Sequence, residues 1–213
     1  MKGKSYDPIA PYYVLLSNIL GKSYKASKRL FLDRLKEGDQ VLYLGGGTGA
    51  NLPEILKRIG LNGILHYMEA SPKMIEKARR IVQPEQLSSI VFLHQSDFFK
   101  IPEHTYDVVL TQFFLDILPE EEIGELFQEL DKRVSPNTRW IFVDFFPVSG
   151  RKWLIKIMIW FFRLSTGNSR EDLPNYARYF RNYGWEIKEQ KWLQKGFIRA
   201  WVLKKGDLEM EGT

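Results

Sequence analysis

The stretch VLYLGGGTGANLPEIL (residues 41–56) sets four glycines within five residues, between a run that reads as a buried strand and one that reads as a helix. Glycine gives up side-chain packing and costs backbone entropy, so such a density points to something that comes very close to the main chain. A ligand is the first candidate. The P-loop reading fails because no Lys-Ser/Thr pair follows the glycines, whereas Gly45, Gly47 and Ala50 satisfy the G-x-G-x-x-A spacing of a dinucleotide-type turn.

Outward from this turn the chain alternates. Strands are expected at 40–45, 64–69, 89–95, 107–114 and 139–146, with a closing pair at 185–193 and 196–205 whose short turn around Gln194, Lys195 and Gly196 makes it an antiparallel hairpin. Helices fall between them. Pro53 and Glu54 open the first, with Lys57, Arg58 and Gly60 closing it, and Ser71 and Pro72 open the next in N-cap and N1 positions. At 119–134 the acids sit in the first turn, Lys132 and Arg133 in the last, and Ile123, Leu126, Phe127, Leu130 and Val134 form one apolar stripe. Further helices are expected from Arg151, over 174–184, and before the sheet from about Tyr13 to Leu35, where Gly21 divides it. Strands alternating with helices give a doubly wound α/β sheet with right-handed crossovers, in which ligands bind past the carboxyl ends of the strands.

At 213 residues one domain suffices, divided as an N-terminal helical cap (1–36), an α/β core (37–205) and a short tail (206–213). The absence of Cys excludes disulfides and thiolate chemistry, and His66, His94 and His104 have no metal-ligand spacing, so no metal site is expected. The N-terminus lacks the apolar core of a secretory signal, and the longest apolar run, 153–164, is interrupted by Lys156 and Arg163. These features read as a cytoplasmic protein. The net charge of +5 is unevenly spread: residues 151–205 carry 13 Lys/Arg against 4 Asp/Glu.

Twenty residues after Gly49, Glu69 ends the second strand, where a carboxylate accepts both hydroxyls of an adenosine ribose; this fits NAD and S-adenosylmethionine alike. Asp97, just after the third strand, is placed to accept from an adenine amine, with Phe98 as its apolar neighbour. Taken jointly, LGGGTG, MEAS, SDFF, YDVVLTQFFLD and the terminal hairpin resemble the class I S-adenosylmethionine-dependent methyltransferases over nearly the whole chain. YDPIAPYYVLL (6–16) is similar to the opening of quinone-biosynthetic and phospholipid N-methyltransferases, with Val14 in place of an acid.

The resemblance implies a Rossmann-like, seven-stranded, mainly parallel sheet of order 3-2-1-4-5-7-6 with strand seven antiparallel. It implies S-adenosylmethionine as cofactor and S-adenosylhomocysteine as product. Gly45, Gly46 and Gly47 would lie beside the methionyl part, Glu69 on the ribose, Ala70, Ser71, Asp97 and Phe98 around the adenine end, and Thr111, Gln112 and Phe113 under the sulfonium. Two departures bear on the cofactor's amino group: Tyr43 stands where an acid is common, and Gly46 where Cys or Ser is frequent.

Around these residues several readings stay open. Tyr6, Tyr12 and Tyr13 either pack the N-terminal helix or close over the cofactor. Asp116, past strand four, is the candidate general base or a loop and cap residue, and Asp144 at the end of strand five is similarly placed. The apolar helix from Arg151 is buried against the domain or a second copy by default; otherwise Trp153, Trp160, Phe161 and Phe162 line a pocket for a greasy acceptor or touch a lipid surface. The expected activity is methyl transfer to a small or lipophilic acceptor. The rivals are a nucleic-acid methyltransferase, an NAD-dependent oxidoreductase and a non-catalytic binding module. The first is disfavoured because Thr111-Gln112-Phe113-Phe114 stands where base-methylating enzymes carry an Asn/Asp-Pro-Pro-aromatic turn.

Overall fold

The structure, a computed structural model, describes residues 21–95, 100–166 and 171–206, except for the side chains of 161, 162 and 164–166. Tyr6, Tyr12, Tyr13, Asp97, Phe98, the tail beyond 206 and the side chains of Phe161 and Phe162 therefore lie outside the described residues.

Seven strands form one sheet of order β3-β2-β1-β4-β5-β7-β6. In chain order they are β1 (Gln40–Leu44), β2 (Ile64–Glu69), β3 (Ile90–His94), β4 (Val108–Gln112), β5 (Arg139–Phe145), β6 (Trp185–Leu193) and β7 (Ile198–Lys205). The first five run parallel, and β7 pairs antiparallel with both β5 and β6. The expected topology and hairpin are those observed. The strand order reverses between β1 and β4, so the two loops that leave these strands flank one crevice.

The helices are α1 (21–27), α2 (Leu52–Ile59), α3 (Pro72–Arg79), α4 (Glu120–Asp131), α5 (Lys152–Thr166) and α6 (Tyr176–Asn182). In α2, Leu52, Ile55, Leu56 and Ile59 turn one face to the sheet and are buried, each contributing roughly 1.5–3 kcal/mol of burial. Gly60 ends it at φ 65°, a conformation that an L side chain resists. Ser71 caps α3, its hydroxyl accepting from Met74 N at 3.3 Å.

On one face of β5, Trp140 and Phe142 pack with Phe127 of α4 and Phe180 of α6, the ring centroids lying 4.9–5.2 Å apart. On the other, Phe145 meets Phe113 at 4.6 Å, and Phe113 meets Tyr24 of α1 at 4.7 Å. The carboxyl ends of β4 and β5 are thus walled by aromatic rings.

One expected element is shorter than its periodicity implied. The helix placed up to Leu35 ends at 27, and the chain continues through a turn and a single 3-10 turn at Leu32–Arg34. The cause is local and long-range together. Ser27 Oγ donates to Tyr24 O at 2.8 Å, Phe31 takes a left-handed φ of 63°, and the Lys28 carbonyl accepts from the side chains of Asn51, just before α2, and of Gln112 in β4 instead of from a helical N–H.

Candidate functional site

The glycine loop leaves β1 and is held from β2. Tyr67 of β2 donates its hydroxyl to Gly47 O at 2.6 Å, and its ring lies edge-on to Tyr43. The four glycines serve different ends. A Cβ on Gly45 would stand 2.3 Å from the Phe114 ring, one on Gly46 2.1 Å from the Tyr67 ring, and one on Gly49 2.7 Å from Leu52. Those three are glycine because the protein's own side chains fill the space. At Gly47, φ is 65°, and a Cβ would meet nothing nearer than Met74 Sδ at 3.9 Å. This is the position where the backbone lies bare toward open space.

Glu69 ends β2 against that bare backbone. Its Oε2 accepts from Gly47 N at 2.8 Å and its Oε1 from Ser71 N at 2.9 Å. Burial pushes the carboxyl above the usual range, while these backbone N–H groups pull the other way. Each oxygen keeps a lone pair, so the group is pre-positioned to accept from a vicinal diol. Ala70 and Ser71, the next residues, are buried beside it.

A polar network joins the loop to β4 and α1. Gln112 Oε1 accepts from Tyr43 OH at 2.9 Å and from Asn51 Nδ2 at 2.7 Å, while Gln112 Nε2 donates to Lys28 O at 2.7 Å. Asn51 Nδ2 also donates to Lys28 O at 2.9 Å. Sequence reasoning missed Asn51, Tyr67 and Lys28. Only Asn51, directly after the glycine turn, carried a local signal. The Gln112 side chain is engaged in this network, and the Thr111 hydroxyl accepts from Trp140 Nε1 at 2.8 Å in the core. Both therefore brace the end of β4, and Phe113, at a left-handed φ of 55°, turns the chain there.

With its carbonyl pinned, Lys28 carries its ammonium 5.0 Å from the Tyr24 ring centroid and 6.0 Å from that of Phe113. Burial lowers it to about 8, and the Glu69 carboxylate draws it back up. The Lys28 ammonium and the Glu69 carboxylate thus lie within electrostatic reach of each other.

Asp116, past β4, and Asp144, at the carboxyl end of β5, are both buried. Asp144 Oδ1 accepts from Phe145 N at 2.8 Å. Burial and then the neighbouring Asp116 push Asp144 well above the usual carboxylate range. Both acids act electrostatically on the Tyr24 hydroxyl, which is buried with no hydrogen-bond partner among the described residues. No cluster of three metal-ligating side chains occurs among the described residues.

A reversal-point crevice, a glycine loop bare at one position, a strand-ending acid held by backbone N–H groups and a terminal antiparallel hairpin together give this chain the architecture of the class I S-adenosylmethionine-dependent methyltransferases, to which it is similar. Residues 41–137, from β1 to just before β5, match the family described as "Methyltransferase domain". The protein-L-isoaspartate O-methyltransferase of Thermotoga maritima is 32% identical over 134 residues, covering 58% of this chain and 42% of that protein. The phosphatidylethanolamine N-methyltransferase of Cereibacter sphaeroides is 33% identical over 87 residues, 40% of this chain and 41% of that protein. The chain thus spans about two fifths of the length of these relatives. A solved S-adenosylmethionine-dependent methyltransferase from Aquifex aeolicus superposes with a TM-score of 0.62 at 19% identity, covering 94% of this chain and all of that one, a likeness of fold.

The division of labour among the glycines gives a first expected result. Gly46→Ala drives a methyl into the Tyr67 ring and should cost about 2 kcal/mol, roughly 4–8 °C in Tm for a chain of this size. Gly47→Ala should cost about 1 kcal/mol of backbone strain. Thermal melts of the ligand-free variants check the order.

Proposed function

We propose that the chain transfers the methyl group of S-adenosylmethionine to a small or lipophilic acceptor. The observation that carries this reading is the Glu69 carboxylate, fixed by Gly47 N and Ser71 N beside the one glycine of the loop whose Cβ position is open. The residues fit the cofactor. Glu69 would take the ribose hydroxyls, the Gly47 backbone would lie along the methionyl chain, and Lys28 would face the methionyl carboxylate. Asp97 and Phe98, from the sequence reading, would flank the adenine, and Tyr13 would close over the site.

When bound, the cofactor supplies a methyl already activated on a sulfonium. What the chain supplies is position and dryness. The rings of Tyr24, Phe113 and Phe145 exclude water beyond β4, and holding the reactants in line lowers a barrier by several kcal/mol with no covalent residue. Asp116 is the residue that takes the acceptor's proton, at a carboxylate oxygen.

The relatives' acceptors differ in kind, a protein carboxylate and a lipid amine by their names, so the acceptor atom follows from neither. A lipophilic acceptor suits the aromatic walls. Calorimetry of the full chain with S-adenosylhomocysteine and, separately, NADH tests the cofactor. Turnover of labelled S-adenosylmethionine with quinone and phospholipid extracts tests the acceptor. Affinity for NADH and none for S-adenosylhomocysteine would sink the reading.

A further inference from the structure

Helix α5 is two-sided. Leu154, Ile155 and Met158 are buried, whereas Trp153, Ile157 and Trp160 are 57%, 43% and 62% exposed. The exposed three recur at i, i+4 and i+7, which is one stripe of a helix. Lys152 and Lys156 are exposed immediately beside it, and Arg163 stands one turn beyond Trp160. Residues 151–166 contain no acid; Arg163 lies 3.9 Å from the carboxylate of the exposed Glu171. Such a pair is weak in water.

The stripe continues off the helix. Arg151 Nη2 donates to Gln194 Oε1 at 2.6 Å, in the turn between β6 and β7. Trp192, 57% exposed, and the exposed Lys195 flank that turn. Phe145 pairs with Ile198, and Ile198 with Leu193, so the turn sits at the carboxyl end of β5. That is the end of the sheet from which the glycine loop and Glu69 also project.

A cover for this face must accept tryptophans and leave interleaved lysines solvated or paired. The centre of an interface between two protein copies is depleted of lysine, because burying the ammonium costs its hydration. At a lipid surface both needs are met: tryptophan sits at headgroup depth, and lysine reaches back along its apolar stem to the phosphates. Charge complementarity therefore selects the occupant.

We propose that α5 and the adjoining Trp192–Lys195 turn form a docking surface for an anionic membrane, on which the helix lies in the interfacial plane. No helix of the described residues is long and apolar enough to cross a bilayer. The inference stands apart from the methyl-transfer reading, since it rests on exposed residues of α5 and of the β6–β7 turn and on none of those assigned to the cofactor. It places the mouth of the crevice against the lipid.

Sedimentation of the full chain with vesicles of phosphatidylcholine alone, and with a third phosphatidylglycerol, tests it. Wild type is expected to bind the anionic vesicles, to lose most binding at high salt, and to bind the neutral ones weakly. Trp153→Ala with Trp160→Ala should reduce binding at least tenfold, and Lys152→Gln with Lys156→Gln about 20-fold. Lys73→Gln with Lys77→Gln, the same charge removed from α3, should change it little. Melting temperature and S-adenosylhomocysteine affinity should be unchanged in all three, which separates this proposal's failure from that of the cofactor site. Equal binding to both vesicle types, or equal loss in the α3 variant, overturns it. So does a wild type that is dimeric by light scattering while the tryptophan variant is monomeric, which would assign the face to a second copy.

Discussion

Glu69→Ala is expected to weaken S-adenosylhomocysteine binding by 100-fold or more in calorimetry. A carboxylate accepting from two ribose hydroxyls makes two charge-assisted bonds, each worth about 1.5–3 kcal/mol, so their joint loss amounts to two or more powers of ten. Part of the effect is structural. Without the carboxylate, Gly47 N and Ser71 N lose their acceptor, and an unsatisfied buried N–H costs about 1–3 kcal/mol. Glu69→Gln isolates the ligand term, because its amide oxygen still satisfies one N–H and its volume is unchanged. Its affinity should still fall at least tenfold, with a smaller drop in Tm than alanine gives.

The pH dependence of the same site has two signs. Burial raises the native-state value of Glu69 above its unfolded value, so the folded chain holds the proton more tightly. The stability of the ligand-free protein therefore declines as pH rises through that interval. Ribose binding uses the ionised form, so affinity declines in the other direction, as pH falls through the raised value. Calorimetry from neutral to acid pH should show the decline in wild type and a flat profile in Glu69→Gln. An unchanged affinity in a folded Glu69→Ala variant would remove the ribose assignment.

Much of this site was readable in the sequence because its signals are local. The glycines, Ser71-Pro72 and the strand-ending Glu69 follow from turn chemistry, capping and period-2 burial, and the hairpin follows from its turn. What the sequence withheld depends on contacts between distant residues. The density of glycine pointed to a ligand, yet Gly45 and Gly46 are small because Phe114 and Tyr67 occupy their space, 69 and 21 positions away. Lys28 sits in a lysine-rich segment with nothing to mark it; its place is set by Asn51 and Gln112, which hold its carbonyl. Helix α5 reads as apolar nearly all round, which argued for burial, but among its described side chains only Leu154, Ile155 and Met158 are buried, with Ile159 partly buried against the core. Trp160 points to solvent and does not line an internal pocket among the described residues. Periodicity shows that a face exists; what covers it belongs to tertiary structure.

Asp116→Asn is expected to lower the turnover number by roughly 100-fold or more, the usual contribution of a positioned general base, while leaving S-adenosylhomocysteine affinity within about twofold. Asp144→Asn should be far milder, within about tenfold. The difference follows from how two close, buried carboxylates share charge. Both cannot ionise cheaply, and burial with Asp116 alongside raises Asp144, so Asp144 favours its protonated form. An amide at 144 mimics a protonated acid, and its oxygen can still accept from Phe145 N. A stability measurement separates this assignment from a merely structural pair. Because the native-state value of Asp144 is raised, the wild-type chain should lose stability as pH rises from the unfolded carboxylate value through the raised one, and Asp144→Asn should abolish that slope. Wild-type turnover in Asp116→Asn would leave the acid as a loop residue past β4, and an acceptor whose proton departs directly to water.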